Sequence, residues 1–167
     1  MTWQPRPISR EGVQAALSKA ERYRLINDPS SAESICLDIL AIEPANQQAL
    51  VTLLLAITDQ FPHSPGALAQ RARELVPRLD DPYRRAYYAG IISERLAKAQ
   101  LSAPKFRHGD FAYHELRDAM TWYEKAEALR PAGNDEAILR WNSCARLLER
   151  HKELAPREDG PVDPDLE

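Results

Sequence analysis

Catalysis requires a nucleophile, an acid–base pair or a ligand set, and this chain has few candidates for any of them. Cys144 sits in the run Trp141-Asn142-Ser143-Cys144, and the nearest imidazole that follows is His151. A thiol becomes a nucleophile when an adjacent base or cation stabilises its thiolate. Residues seven apart on one helix lie two turns from each other. The pair therefore reads as a small buried side chain and a separate imidazole, with Trp141 and Ala145 as core neighbours. His108, Asp110 and His114 are metal-ligating types close in sequence, but their spacing matches no zinc pattern and no cysteine is near. Asp110 serves more economically as the N-cap of a following helix. The chain has no Gly-rich phosphate loop, nucleophile elbow or paired carboxylates of a hydrolase. It is read as a non-enzyme that needs no cofactor and no metal.

The chemistry that remains is recognition, and composition limits what can be recognised. The chain has 167 residues, 44% hydrophobic and 28% charged, an ordinary balance for one folded domain. A net charge of −3 argues against a dedicated nucleic-acid binder. The longest apolar stretch, Ala49 to Ile57 broken by Thr52, is too short to cross a bilayer. Trp3, Pro5, Arg6 and Pro7 leave no apolar signal-peptide core, and Cys36 and Cys144 suggest no disulfide framework. A soluble cytoplasmic protein is expected. Charge is uneven: residues 1–67 carry −2, residues 68–108 carry +5 and residues 109–167 carry −6. A basic middle can steer an acidic partner, or can simply balance its acidic neighbours within the fold.

The apolar spacing is helical throughout, with no strand alternation. Asp28-Pro29, Ser64-Pro65 and Asp81-Pro82 each place a capping side chain before a proline at the first helical position. Asn46 and Asn134 look like further caps. Ser9 is a first cap, with Ile8 and Val13 as a hydrophobic staple. Pro77 should end or kink the helix before it. Faces are predicted at Ala16, Ala20, Tyr23 and Ile26, at Ala119, Tyr123, Ala126 and Leu129, and at Ile138, Trp141, Ala145 and Leu148. Seven helices follow from this reading. The predicted organisation is an N-terminal extension over 1–8, a helical domain over 9–154 interrupted by a loop at about 102–109, and an acidic tail over 155–167 too poor in apolar surface to order itself. The basic loop Lys105-Phe106-Arg107-His108-Gly109 is either a binding insertion or plain surface.

A repeat is visible beneath these elements. With Val13 as position 1 of a unit, Ala20 falls at position 8, Tyr23 at 11, Ala32 at 20, Cys36 at 24 and Pro44 at 32. Ala119, Tyr123, Ala126 and Pro131 repeat the spacing of the second half-unit. This pattern resembles the tetratricopeptide repeat, a 34-residue helix–turn–helix unit. Ile39 and Lys19 depart from it, and Gly66 falls where Ala is usual. The resemblance covers about residues 13–150. It implies an all-α solenoid of about three helix pairs plus a C-terminal capping helix, since one pair cannot bury its own face.

The resemblance also implies a groove lined by the first helix of each pair. Carried over by position, its residues are Gln14, Leu17, Glu21, Arg24 and Leu25, then Gln48, Val51, Leu55, Thr58 and Asp59, then Arg84, Tyr87, Ile91, Glu94 and Arg95. Arg84, Tyr87 and Arg95 are the expected working residues, with Leu55 as an apolar anchor, Arg24 at the rim, and Gln48 and Ile91 completing the contact. Such a face suits a peptide or helix of another protein, one with some acidic residues. The carboxylate clamp of chaperone-binding members is absent, because Leu17, Glu21 and Thr52 stand where its Lys and Asn residues would. Two other readings remain: a subunit that stacks on copies of itself through the solenoid ends, and a regulatory domain with a small ligand in the groove.

Overall fold

Capping chemistry sets the helix starts. The structure, a computed structural model, describes residues 2–103 and 109–156. Ser9 Oγ accepts from the Gly12 N–H at the entry to α1 (Val13–Leu25). Asp28 Oδ1 accepts from the Ser31 N–H at the start of α2 (Pro29–Ile42). Asn46 Oδ1 accepts from the Ala49 N–H at α3 (Gln47–Asp59). Asp81 Oδ1 accepts from the Tyr83 N–H at α5 (Pro82–Leu101). Each bond satisfies a donor that the first helical turn leaves without a partner. Ser64, before α4 (Pro65–Leu75), makes no such side-chain bond, so Pro65 alone marks that start. Pro77 falls in a 3₁₀ turn (Val76–Arg78) directly after α4. Helix α6 (Gly109–Leu129) begins one residue before Asp110, which therefore lies inside the first turn rather than capping it. A carboxylate there still complements the helix dipole. Asn134 Oδ1 accepts from the Glu136 N–H at the start of α7 (Glu136–Arg150).

The described residues form these seven α-helices with short 3₁₀ turns and no strand. The connections are tight. Asn27 adopts a positive φ of 62° between α1 and α2, and Gly133 one of 83° between α6 and α7. Asn and Gly are the residues that reach this region most readily. Each helix packs on the next in sequence, and α3 also touches both α1 and α5. The most extensive pairing is α5 with α6. Small residues permit the close approaches: Ala20, Ala32, Ala119, Ala126 and Ala137 are all fully buried. At Gly90 a Cβ would lie 2.6 Å from the Tyr123 ring, so α5 and α6 meet where only hydrogen fits. Gly66 is different. Nothing lies within 4 Å of a Cβ built there, and Ala69, Ala72 and Leu75 face the core of α4 instead.

Two apolar cores result, and α5 walls both. Ile92 and Leu96 of α5 join the mainly aliphatic core of α1–α4, which includes Leu50, Leu54 and Ile57 beside Phe61. Tyr83, Tyr87 and Ile91 of α5 join the core of α5–α7, which includes Tyr123, Leu116 and Cys144. Several predicted core positions lie outside both. Ile26 is 66% exposed because α1 has ended at Leu25, and Leu129 is exposed at the last residue of α6. Ile8 does pack against the first core near Val13. The predicted loop at 102–109 and tail at 155–167 lie largely outside the described residues, at 104–108 and 157–167. Among the described residues no helix is long and apolar enough to cross a membrane.

Candidate functional site

The predicted groove residues come from α1, α3 and α5, and the structure brings part of the set together. Asp59, the last residue of α3, is the meeting point. Arg24 Nε of α1 donates to its Oδ2 at 2.8 Å, and Arg95 Nη1 of α5 donates to its Oδ1. Arg95 also donates to Thr58 Oγ1 at 2.7 Å and to the Leu55 carbonyl at 3.3 Å. Burial lowers the Arg95 pKa, and the charge of Asp59 opposes that shift. At the start of α3, Gln48 Nε2 donates at 2.8 Å to Oε1 of Glu21, which lies one turn before Arg24 on α1. Gln48 is exposed and Leu55 half-buried beside Arg95. Arg24, Gln48, Leu55 and Arg95 thus share one face.

Two of the expected contact residues do not line it. Ile91 is 1% exposed and sits in the α5–α7 core. Tyr87 is buried in the same core, stacked on Tyr83 at 5.8 Å and tilted against Tyr123 at 5.9 Å. The cause is the contact at Gly90. It draws α6 so close that the i, i+4 pair Tyr87 and Ile91 turns inward. Arg84 remains exposed, about three helical turns from Arg95 and on the same side of α5. Leu17 is likewise buried, in the first core.

A second carboxylate, Glu94, continues the face toward α7. It is fully buried and accepts from the Tyr123 hydroxyl at 2.6 Å, from Lys98 Nζ at 2.5 Å and from Arg140 Nη1 at 3.4 Å. Burial lowers the Arg140 pKa, but the neighbouring Tyr87 hydroxyl and the charge of Glu94 outweigh this, and the net shift is upward. Lys98 and Arg140 are functional candidates that sequence reasoning missed. Lys98 carried a signal as the i+4 partner of Glu94. Arg140 carried none, because its partner lies 46 residues away. Two depressions flank Lys98. The smaller, about 250 Å³, is bounded by Asp59, Arg95 and Ser102. The larger, about 610 Å³, has Leu101, Leu147 and Leu154 in its wall, with His151 and Glu153. Lys98 and Ser102 belong to both.

The arrangement presents charge beside apolar surface. Desolvation pushes the Cys36 and Cys144 thiols up to about 12, far from a thiolate at neutral pH. Trp141 packs half-buried against the α5–α7 core, with its indole N–H donating to Glu124 at 3.0 Å. His114 lies exposed beside the Tyr113 ring, and His108 is outside the described residues. Among the described residues no three His, Cys, Asp or Glu side chains gather as a metal site would require. No protein-family model matches the chain, and no curated protein matches it significantly.

Proposed function

We propose that the chain is a tetratricopeptide-like solenoid in which α1/α2, α3/α4 and α5/α6 are the pairs and α7 the cap. It acts as a non-enzymatic adaptor of the cytoplasm, taking a peptide or helix of another protein on the inner face of α1, α3 and α5. The observation that carries this reading is the Arg24–Asp59–Arg95 bridge. Its members stand 35 and 36 residues apart on alternate helices, close to one 34-residue unit. The buried small residues at Ala20, Ala32, Gly90, Ala119 and Ala126 support the same register. The contact residues are Arg24, Gln48, Leu55 and Arg95, extended by Lys98 and Arg140. The cations favour a partner with acidic side chains, and Leu55 with the adjoining leucines favours one with aliphatic side chains.

Hydrogen exchange on the chain with its captured partner tests the reading. Protection should rise on α1, α3 and α5, and an Arg24→Ala, Gln48→Ala variant of unchanged helix content should lose the partner. Protection confined to α2, α4 and α6 would overturn it. One observation favours a second reading, self-assembly through the solenoid ends: α7 leaves Leu139 66% exposed. A sedimentation coefficient that rises with concentration, and stops rising in Leu139→Lys, would support that reading instead.

A further inference from the structure

Lys98 and Arg140 share one carboxylate, and so do Arg24 and Arg95. Four cations thus answer two anions along the inner face. Of the α5–α7 group, Glu94 shows 1% of its side chain to solvent, whereas Lys98 shows 44% and Arg140 39%. Solvent therefore meets mainly the positive members. Among the described residues, the carboxylate in the wall of the larger depression is Glu153, and His151 Nδ1 lies 2.9 Å from it.

The chain supplies a segment of matching chemistry close by. Residues 157–167 carry Glu158, Asp159, Asp163, Asp165 and Glu167 against a single cation, Arg157, with Val162 and Leu166 among the acids. Leu154 is itself part of the depression wall, so the segment starts three residues from it. At about 3.3 Å per extended residue, its eleven residues span up to about 36 Å. Neighbouring packed helices lie only about 8–10 Å apart, so Lys98 and Arg95 are both within reach.

We propose that, in the absence of a partner, residues 157–167 dock in cis on the inner face at Lys98, with their carboxylates against Lys98 and Arg95 and an aliphatic side chain against Leu101 and Leu147. The inference rests on the adaptor reading and adds its regulation: an acidic partner must displace the chain's own acidic segment. Tethering makes this effective at low intrinsic affinity, because a short linker holds the segment at about millimolar local concentration.

A nitroxide label on Gly160→Cys tests the docking in the full chain. Cys36 and Cys144 are fully buried, so the label goes to the new thiol. The amide signals of Ala99, Ser102 and Leu147 should lose most of their intensity. They should regain it when Asp163→Lys and Asp165→Lys are added, a change outside the described helices whose helix content circular dichroism checks. Equal intensities with acidic and reversed segments would overturn the cis contact. Loss of partner capture in the Arg24→Ala, Gln48→Ala variant would then still uphold the adaptor reading, so the two fail separately.

Discussion

The two halves of the molecule solve the same electrostatic problem in opposite surroundings. In α1–α4 the carboxylate Asp59 gathers Arg24 and Arg95 at the surface, where all three side chains keep about a fifth to a quarter of their exposure. In α5–α7 the carboxylate Glu94 gathers Lys98 and Arg140 from a buried position, and Tyr123 adds a hydroxyl. The cores differ accordingly: one is mainly aliphatic, the other is built on tyrosines. A part-exposed ion pair contributes roughly 0–1 kcal/mol. A buried carboxylate stripped of its donors costs several times that, about 3–5 kcal/mol. Asp59 therefore orients a surface, whereas Glu94 holds a core together.

Substitutions can break this contrast, beginning with the buried side. Tyr123→Ala should lower stability by about 3–5 kcal/mol, the usual range for deleting a buried large aromatic. A melting temperature within a degree of wild type would refute the placement of Tyr123. Tyr123→Phe keeps the ring and removes one donor to Glu94, for a loss of about 1–3 kcal/mol. Gly90→Ala pits helix propensity, about 1 kcal/mol in favour, against overpacking on the Tyr123 ring, about 1–3 kcal/mol. At a separation of 2.6 Å overpacking should win, so denaturant midpoints should fall. Asp59→Asn should move the midpoint by at most about 1 kcal/mol while weakening partner capture. A large drop in stability there would erase the distinction between the two carboxylates.

Titration sharpens the contrast further. Burial raises the pKa of Tyr123 above its ordinary value of 10.0, and it does the same for Tyr83 and Tyr88. A raised folded value means stability is complete below pH 10 and falls as pH rises above it. Tyr123→Phe should blunt that alkaline loss, read as melting temperature against pH. In the first half the bonds from Ser31 lower the pKa of Asp28 below 3.8. Its cap is intact above that value and is lost as pH falls through the lowered one. Asp28→Asn should flatten this acid limb and leave the alkaline one unchanged.

Much of the fold was legible in local chemistry. Proline after Asp or Ser, and apolar residues at helical spacing, need only their neighbours in sequence, and all seven helices were read this way. The burial of Tyr123 was also legible, through its spacing from Ala119 and Ala126. The inward turn of Tyr87 and Ile91 was not. Helix α5 has apolar residues on two sides, Ile92 and Leu96 toward one core and Tyr87 and Ile91 toward the other. A helical wheel cannot say which side the remaining groove residues occupy. Arg24, Asp59 and Arg95 meet at separations of 35 and 36 residues, a spacing that can be read along the chain. Arg140 could not be placed in this way, because its pairing with Glu94 is set by how α7 settles on α6 beside α5.

The double-sided wall of α5 has a consequence for how the molecule melts. Repeat arrays whose units touch only through narrow seams can unravel piecemeal. Here Leu55 and Tyr88 pack against both cores, and α5 is indispensable to each. Neither half keeps its interior once the other has lost this helix, so heating should give a single calorimetric peak whose van't Hoff and calorimetric enthalpies agree.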